Sequence, residues 1–133
     1  MLAEYDFIDI LIHDEGEIPF SQLLRYFAGD GELKSINNIS YRNENRELLT
    51  NKIVASTDVD YPSPYTTGIF DKIMQRNDCQ FVATFETNRG CPFKCAYCDW
   101  DTIKEEVRKF PIEKIKAEIE WIAEHKIEFT WLI

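Results

Sequence analysis

Three cysteines within eight residues carry the clearest chemical signal in this sequence. Cys91, Cys95 and Cys98 follow the spacing Cys-x-x-x-Cys-x-x-Cys. Thiolates are soft ligands, so such a triplet favours an iron–sulfur cluster or zinc over Mg²⁺ or Ca²⁺. Crowding of this kind also suits metal ligation in a reducing compartment better than a secreted disulfide framework. We therefore predict a metal centre at this loop.

The number of cysteine ligands determines whether a metal centre has an open coordination position. A [4Fe-4S] cluster held by three thiolates keeps one iron without a protein ligand, and an open coordination position is where a metal centre can react. The alternative is a closed zinc site that uses Cys79 as its fourth ligand. The spacing Cys79-x11-Cys91 matches no usual zinc motif. The strand predicted between them also carries Cys79 to the opposite end of the sheet.

The segments around the cysteines predict a strand, helix, strand unit. After a brief helix near Phe70 to Met74, a strand from Gln80 to Thr87 leads into the cysteine loop, and Pro111 stands at a favourable helix start. Isoleucines then recur at three- and four-residue spacing, which gives one apolar helical face, and an apolar strand from Ile127 to Ile133 follows. The cysteines thus leave the C-terminal end of a parallel strand, where α/β folds carry their active sites.

The first half of the chain predicts further strands and one helix. Tyr5 to Ile12 is predicted as a buried parallel strand that runs into an acidic loop. A short amphipathic helix follows and is ended by Gly29-Asp30-Gly31. Ile36 to Arg42 and Leu48 to Val54 predict a hairpin or a pair of short edge strands around a polar turn. Residues 56–68 contain two prolines and show no helical or strand period, so they are the best linker candidate.

The block Glu86 to Trp100, ETNRGCPFKCAYCDW, resembles the CxxxCxxC signature of the radical S-adenosylmethionine (SAM) superfamily. It is similar in particular to the subset whose radical SAM barrel follows a cobalamin-binding domain. The N-terminal order of strand, acidic loop, helix ending in glycine and ISYRN strand is similar to the closing third of that cobalamin domain. The Asp-x-His-x-x-Gly element that such domains usually carry is missing from this sequence.

The resemblance implies a fold and a domain division. The fold is expected to be α/β, with the C-terminal part of a Rossmann-like domain followed by the first βαβ unit of an incomplete radical SAM (β/α) barrel. Residues 1–55 would form the cobalamin-binding-like part, residues 56–78 the linker and residues 79–133 the start of the barrel. The terminal apolar strand gives the chain the appearance of a truncated one.

The resemblance also implies a division of chemical roles. Cys91, Cys95 and Cys98 would ligate a [4Fe-4S] cluster whose remaining iron chelates SAM, and reductive cleavage of SAM would yield a 5'-deoxyadenosyl radical for methylation or rearrangement. Tyr97 would lie against the adenine of SAM, and Phe93 would shield the cluster. Whether the intact protein binds cobalamin stays open. The alternative function is a non-catalytic Fe-S or zinc-binding fragment.

Composition narrows the classes of partner. The net charge is −9, and no cluster of Lys and Arg offers a nucleic-acid surface. No apolar run approaches the roughly 20 residues that span a bilayer, and no signal segment is visible, so we expect a cytoplasmic protein with no membrane partner. The expected partners are a small-molecule substrate and a reductant such as flavodoxin or ferredoxin.

Other residues that could do chemistry have simpler explanations. We expect Trp100, Trp121 and Trp131 to be core residues. We expect the acidic residues between Asp14 and Glu17 to form a solvated loop rather than a metal site. Neither His13 nor His125 is assigned a catalytic role, and the helix dipole explains a histidine near a helix C-terminus.

Overall fold

Two units make up the part of the chain that the computed structural model describes, which is residues 2–56, 61–93, 95–98 and 107–133. The first unit is Met1–Ser56 and the second is Thr57–Ile133. Trp100, on which one expectation rests, lies outside the described residues. Neither helix of the described part is long and apolar enough to cross a membrane.

The first unit is a three-stranded antiparallel sheet with one helix. Strands β1 (Ile10–Ile12), β2 (Ile39–Arg42) and β3 (Leu48–Thr50) follow the order β1-β2-β3, and helix α1 spans Glu17–Phe27. A single turn of 3-10 helix at Leu33–Ser35 precedes β2. The buried side chains that hold this unit together are Leu23, Ile36, Ile39 and Tyr41.

The hairpin predicted from the first half is confirmed, because β2 and β3 pair antiparallel with Tyr41 opposite Leu49. The prediction of a buried parallel strand is wrong for the described residues. Strand β1 pairs antiparallel with β2 and is only half-buried. The apolar run before it is largely in solvent, with Phe7 80% exposed. An apolar run indicates burial on both faces but carries no information on strand direction, so the sequence could not distinguish the two pairings.

Helix α1 ends as the sequence predicts, at Gly29. The backbone φ of Gly29 is +89°, a left-handed conformation that glycine adopts without the steric cost of a Cβ. The N–H of Gly29 donates to the carbonyl of Tyr26 at 2.9 Å, and the N–H of Asp30 donates to that of Arg25 at 2.9 Å. This pair of bonds is the Schellman motif, which satisfies carbonyls that the helix end would otherwise leave unbonded.

The second unit contains the predicted strand, helix, strand arrangement. Strand β4 (Val82–Phe85) pairs in parallel with a later strand, Phe129–Leu132, and the helix α2 (Ile112–Glu124) connects them. Between β4 and α2 lies a short antiparallel ladder of β5 (Asn88–Arg89) and β6 (Arg108–Lys109), so the last strand is β7. The brief helix expected near Phe70 is a single 3-10 turn at Ile73–Gln75.

The core of the second unit is formed by β4, by α2 and by the segment that precedes β4. Its buried members are Tyr65, Ala83 and Ile122. Phe70, Phe85, Trp121 and Ile127 pack against them. Tyr65 and Phe70, which lie within the linker predicted over residues 56–78, therefore contribute to this core.

Tyr65 also completes the backbone hydrogen bonding of β4. Its hydroxyl donates to the carbonyl of Thr84 at 2.6 Å and accepts from the Thr84 N–H at 2.9 Å. Both backbone groups of one residue in a parallel strand point to the same side, so Tyr65 occupies the edge of β4 that faces away from β7. The Tyr65 hydroxyl thus makes the two hydrogen bonds that a neighbouring strand would otherwise make with Thr84.

Replacement of Tyr65 with phenylalanine is expected to destabilise the second unit by about 1–3 kcal/mol, because a backbone N–H and a carbonyl lose their partner while the ring keeps its packing. Urea denaturation followed by tryptophan fluorescence measures this, since all three tryptophans lie in residues 57–133. Tyr5→Phe, at a tyrosine that is 45% exposed in the first unit, is the control and should change little. An equal loss of stability in the two variants would contradict the hydrogen-bonding role of the Tyr65 hydroxyl.

Candidate metal centre

The cysteine loop lies beyond the C-terminal end of β4, where the βαβ prediction puts it. It leaves the sheet through β5 and returns through β6, whose register pairs Asn88 with Lys109 and Arg89 with Arg108. One further backbone bond, from the N–H of Phe110 to the carbonyl of Thr87 at 3.1 Å, extends the ladder. The two ends of the loop are thus held together, while the cysteines project beyond the ladder.

The three cysteines are accessible to a ligand. Cys91 is half-buried, whereas Cys95 and Cys98 are exposed, and none of the chain's four cysteines forms a disulfide. The N–H of Cys98 donates to the carbonyl of Cys95 at 3.0 Å, so these two residues share one turn. Position 94 and positions 99–106 lie outside the described residues.

The donor chemistry of the loop fits an iron–sulfur cluster, although its thiols do not yet converge. Among the described residues, no group of three Cys, His, Asp or Glu side chains is arranged to hold a metal ion. Ligands that come together only when the metal binds are common, because binding free energy can order the site. Three soft donors on one accessible loop match a [4Fe-4S] cluster that keeps one iron without a protein ligand.

Two aromatic side chains stand in solvent beside the cysteines. Tyr97 is 93% exposed and Phe93 is 72% exposed. Burial of apolar surface lowers the free energy by about 25 cal/mol per Å². A ligand that covers these exposed rings would therefore bind more favourably. The resemblance to radical SAM enzymes implies that Tyr97 contacts SAM and that Phe93 shields the cluster. Those two roles stay predictions.

Gly90 allows the chain to turn into the loop. Its backbone φ is +96°, which L-residues with a Cβ rarely adopt. Arg89, beside it, forms an ion pair with an acidic neighbour: its Nε lies 2.9 Å from a carboxylate oxygen of Glu86. No sequence pattern predicts the aromatic rings near Arg89, because Tyr61 and Phe110 are distant from it along the chain.

Gly90→Ala is expected to destabilise the second unit by about 1–2 kcal/mol, because a Cβ is strained at a left-handed φ. The control is Gly16→Ala. Gly16 has a φ of −87° and open space around an added Cβ, so alanine there should cost less than about 1 kcal/mol. Thermal unfolding of both variants measures the loss of stability. A Gly90 variant as stable as wild type would contradict the strained-turn explanation.

Cys79 lies at the other end of the strand pair from the cysteine triplet. It is exposed and precedes β4, where it lines a cleft of about 320 Å³ together with His125 and Glu128. Nearby, the Arg76 guanidinium donates to Asp78 and holds the pKa of that carboxyl below its ordinary value. The strand between Cys79 and Cys91 separates them as the sequence predicts.

The remaining candidate residues fall into structural roles, with one correction. Trp121 packs against the core as expected, but Trp131 is 58% exposed, so the core prediction is wrong for it in the described residues. All four residues of β7 are exposed, and none of them belongs to the core of this unit. His125 stacks on Trp121 with ring centroids 3.8 Å apart, beside the C-terminus of α2.

His13 has a partner that its position in the sequence did not reveal. Its Nε2 lies 2.7 Å from the Oγ of Ser40, which in turn lies 2.8 Å from the Oγ1 of Thr50. This line of side-chain hydrogen bonds runs from the residue that follows β1 across β2 to β3. Glu17 belongs to the first turn of α1, where a negative charge favours the helix dipole.

Comparison with known proteins places this chain beside two bacterial enzymes. It is 35% identical, over 95% of its length, to 2-(S-pantetheinyl)-carbapenam-3-carboxylate methyltransferase from Streptantibioticus cattleyicolor. It is 34% identical, over 94% of its length, to the cobalamin-dependent radical SAM methyltransferase TokK from Streptomyces tokunonensis. The chain spans 19% of the length of each of these relatives. No family model matches it.

A solved structure has a similar mixed α/β fold. It is the cobalamin-dependent S-adenosylmethionine radical enzyme OxsB with aqua-cobalamin bound, which aligns with 92% of this chain at a TM-score of 0.64. The alignment covers 17% of that enzyme's chain, and the sequences are 23% identical, so the likeness shows the fold alone.

Proposed function

We propose that this chain, which is similar to a cobalamin-dependent radical SAM enzyme as its cysteine block predicted, carries the cluster-binding site of such an enzyme. The proposed activity is reductive cleavage of SAM at a [4Fe-4S] cluster, which starts radical chemistry on a small-molecule substrate. Methylation is favoured over rearrangement as the outcome, because both relatives are named methyltransferases.

The observation that carries the proposal is the cysteine triplet on a loop beyond the C-terminal end of a parallel strand. Cys91, Cys95 and Cys98 would hold the cluster, and Cys79 would take no part. When bound, such a cluster supplies the electron that cleavage of the SAM sulfonium requires. A ligand count of three supports this reading, because an iron without a thiolate can accept SAM, whereas a closed site cannot.

The chain's own residues would bind the cofactor and exclude water. Tyr97 directly precedes Cys98, so its exposed ring is in reach of a nucleoside held beside the cluster, and we assign it to the adenine of SAM. Phe93 lies between Cys91 and Cys95 in the sequence and would cover the cluster. Removal of water around a reactive centre strengthens its electrostatic contacts and suppresses side reactions.

The first unit would belong to a cobalamin-binding domain in the whole protein. Support comes from the likeness of the relatives, one of which is named cobalamin-dependent. We propose that the protein is cytoplasmic, receives electrons from flavodoxin or ferredoxin, and binds neither nucleic acid nor membrane. The net charge of −9 supports the exclusion of nucleic acid.

The test is SAM cleavage by the full chain. After anaerobic reconstitution with iron and sulfide and reduction with dithionite, we expect formation of 5'-deoxyadenosine in proportion to bound cluster. A cluster that forms while SAM stays intact would instead identify a non-catalytic Fe-S fragment. A Cys95→Ser variant treated in the same way is the control for product formed by unbound iron.

A further inference from the structure

A group of charged and aromatic side chains surrounds the base of the cysteine loop, and we call it the Arg89 clasp: Tyr61, Glu86, Arg89, Phe110 and Lys114. The Nε of Arg89 donates to the Glu86 carboxylate at 2.9 Å. The guanidinium carbon lies 5.2 Å from the ring centroid of Tyr61 and 5.8 Å from that of Phe110. Both distances are within the range of cation–π attraction.

Lys114 reinforces the same group from the first turns of α2. Its Nζ lies 4.7 Å from the centroid of the Phe110 ring and donates to the backbone carbonyl of Tyr61. Two cations therefore lie against one phenylalanine ring. The clasp thus joins β5, the residue that follows β6, the start of α2 and the segment around position 61.

The ion pair of the clasp is better shielded from water than the comparable pair in the same unit. The side chains of Arg89 and Glu86 are 20% and 25% exposed. Those of Arg76 and Asp78, which also form an Arg–carboxylate contact, are 56% and 68% exposed. Exposed pairs contribute little, whereas partly desolvated cation–π and ionic contacts are stronger. The Arg89 pair should therefore matter more than the Arg76 pair.

The β5–β6 ladder needs such support. It consists of two residue pairs, and even a longer isolated two-stranded ladder is marginally stable in water. Closure of the cysteine loop between residues 90 and 107 adds an entropic cost that the ladder must also offset. The contacts of Arg89 join the two sides of the ladder directly, because Arg89 belongs to β5 and Phe110 follows β6.

We propose that Arg89 is a positioning residue for the metal centre. Through the clasp it holds the two ends of the cysteine loop together, so that Cys91 starts from a fixed point only two residues away. Fewer conformations then have to be lost when the three thiolates converge on the cluster. The role of Arg89 in metal binding rests on the proposed function. The claim that Arg89 stabilises the β5–β6 ladder does not depend on it.

The experiment compares Arg89→Gln with Arg76→Gln in the full chain. The first readout is hydrogen exchange of the ladder amides in the metal-free protein, which reports local opening. We expect about tenfold faster exchange of the ladder amides of Arg89, Arg108 and Phe110 in Arg89→Gln, from the loss of charge-assisted and cation–π contacts. Exchange in β4, α2 and β7 should be unchanged, and Arg76→Gln should match wild type throughout.

The second readout is iron bound after anaerobic reconstitution at limiting iron. Arg89→Gln should bind severalfold less than wild type, and Arg89→Lys should recover part of the loss, because it keeps the charge over the rings but not the planar fork. Phe110→Leu, which keeps an apolar side chain without a π face, should also accelerate exchange in the ladder.

Two results would overturn the inference. One is wild-type exchange of the ladder in Arg89→Gln; the other is equal acceleration across β4, α2 and β7, which would give Arg89 a general stabilising role. Failure of the proposed function looks different: wild-type protein that does not cleave SAM leaves the exchange result unaffected. If the wild-type chain takes up no cluster, the proposed function fails and the exchange experiment still decides on the ladder.

Discussion

Replacement of Cys91, Cys95 or Cys98 with serine, one at a time, is expected to weaken iron binding by about 100-fold or more. Even changes to groups that only support metal ligands cost about 10- to 100-fold in affinity. Loss of a ligand itself should cost at least as much, because serine offers a hard oxygen that stays protonated where a thiolate would bind. Iron and sulfide per chain after anaerobic reconstitution, together with the cluster's absorbance, provide the measurement.

Cys79→Ser is the matched control, since it removes the same sulfur from an exposed position at the other end of β4. It should keep wild-type iron content and absorbance. Loss of metal in the Cys79 variant equal to that in the triplet variants would indicate a four-thiolate site. The predicted open coordination position would then be absent.

Ile39→Ala is expected to lower the stability of the first unit by about 3–4 kcal/mol. The side chain is completely buried, with 0% exposure, and belongs to the cluster that includes Leu23, Ile36 and Tyr41. Truncation to alanine loses the transfer free energy of three carbon atoms and leaves a cavity in a small core. Hydrogen exchange of the β2 amides measures the effect, because it reports this sheet rather than the second unit.

The control for this prediction is Ile53→Ala in the same unit. Ile53 is 46% exposed, so the same three atoms are removed largely from solvent. We expect a change of less than about 1 kcal/mol. If the two substitutions accelerated exchange equally, the core of this unit would not be centred on Ile39.

The sequence predicted the βαβ unit because each element there carries a strong local signal. The isoleucines on α2 repeat with helical period, and β4 and β7 come from apolar runs of strand length. The β2–β3 hairpin was visible for a similar reason, since a polar turn separates two strand-like segments. Local periodicity and turn residues suffice for such elements.

The ladder of β5 and β6 could not be predicted, because its strands are two residues long and have no period to recognise. The antiparallel direction of β1 depends on its pairing with residues almost 30 positions away, as in Ile12 opposite Ile39. The role of Tyr65 was hidden for the same reason, since its partner Thr84 lies 19 positions later. Tertiary contacts decide these features.

At the candidate metal centre, residue types and spacing indicated the proposed donors but not their surroundings. The cysteine triplet, the left-handed Gly90 and the pair of Arg89 with Glu86 follow from positions close together in the sequence. The aromatic rings and the lysine that complete the Arg89 clasp come from distant positions. Their contribution becomes visible only once the fold brings them to the base of the loop.

The most direct test of the central claim is the EPR spectrum of the reconstituted, reduced chain with and without SAM. We predict the signal of a reduced [4Fe-4S] cluster, and a change in that signal when SAM binds at the iron that lacks a thiolate. A chain that takes up one zinc through four thiolates, Cys79 among them, and shows no iron–sulfur signal after reconstitution would contradict the claim.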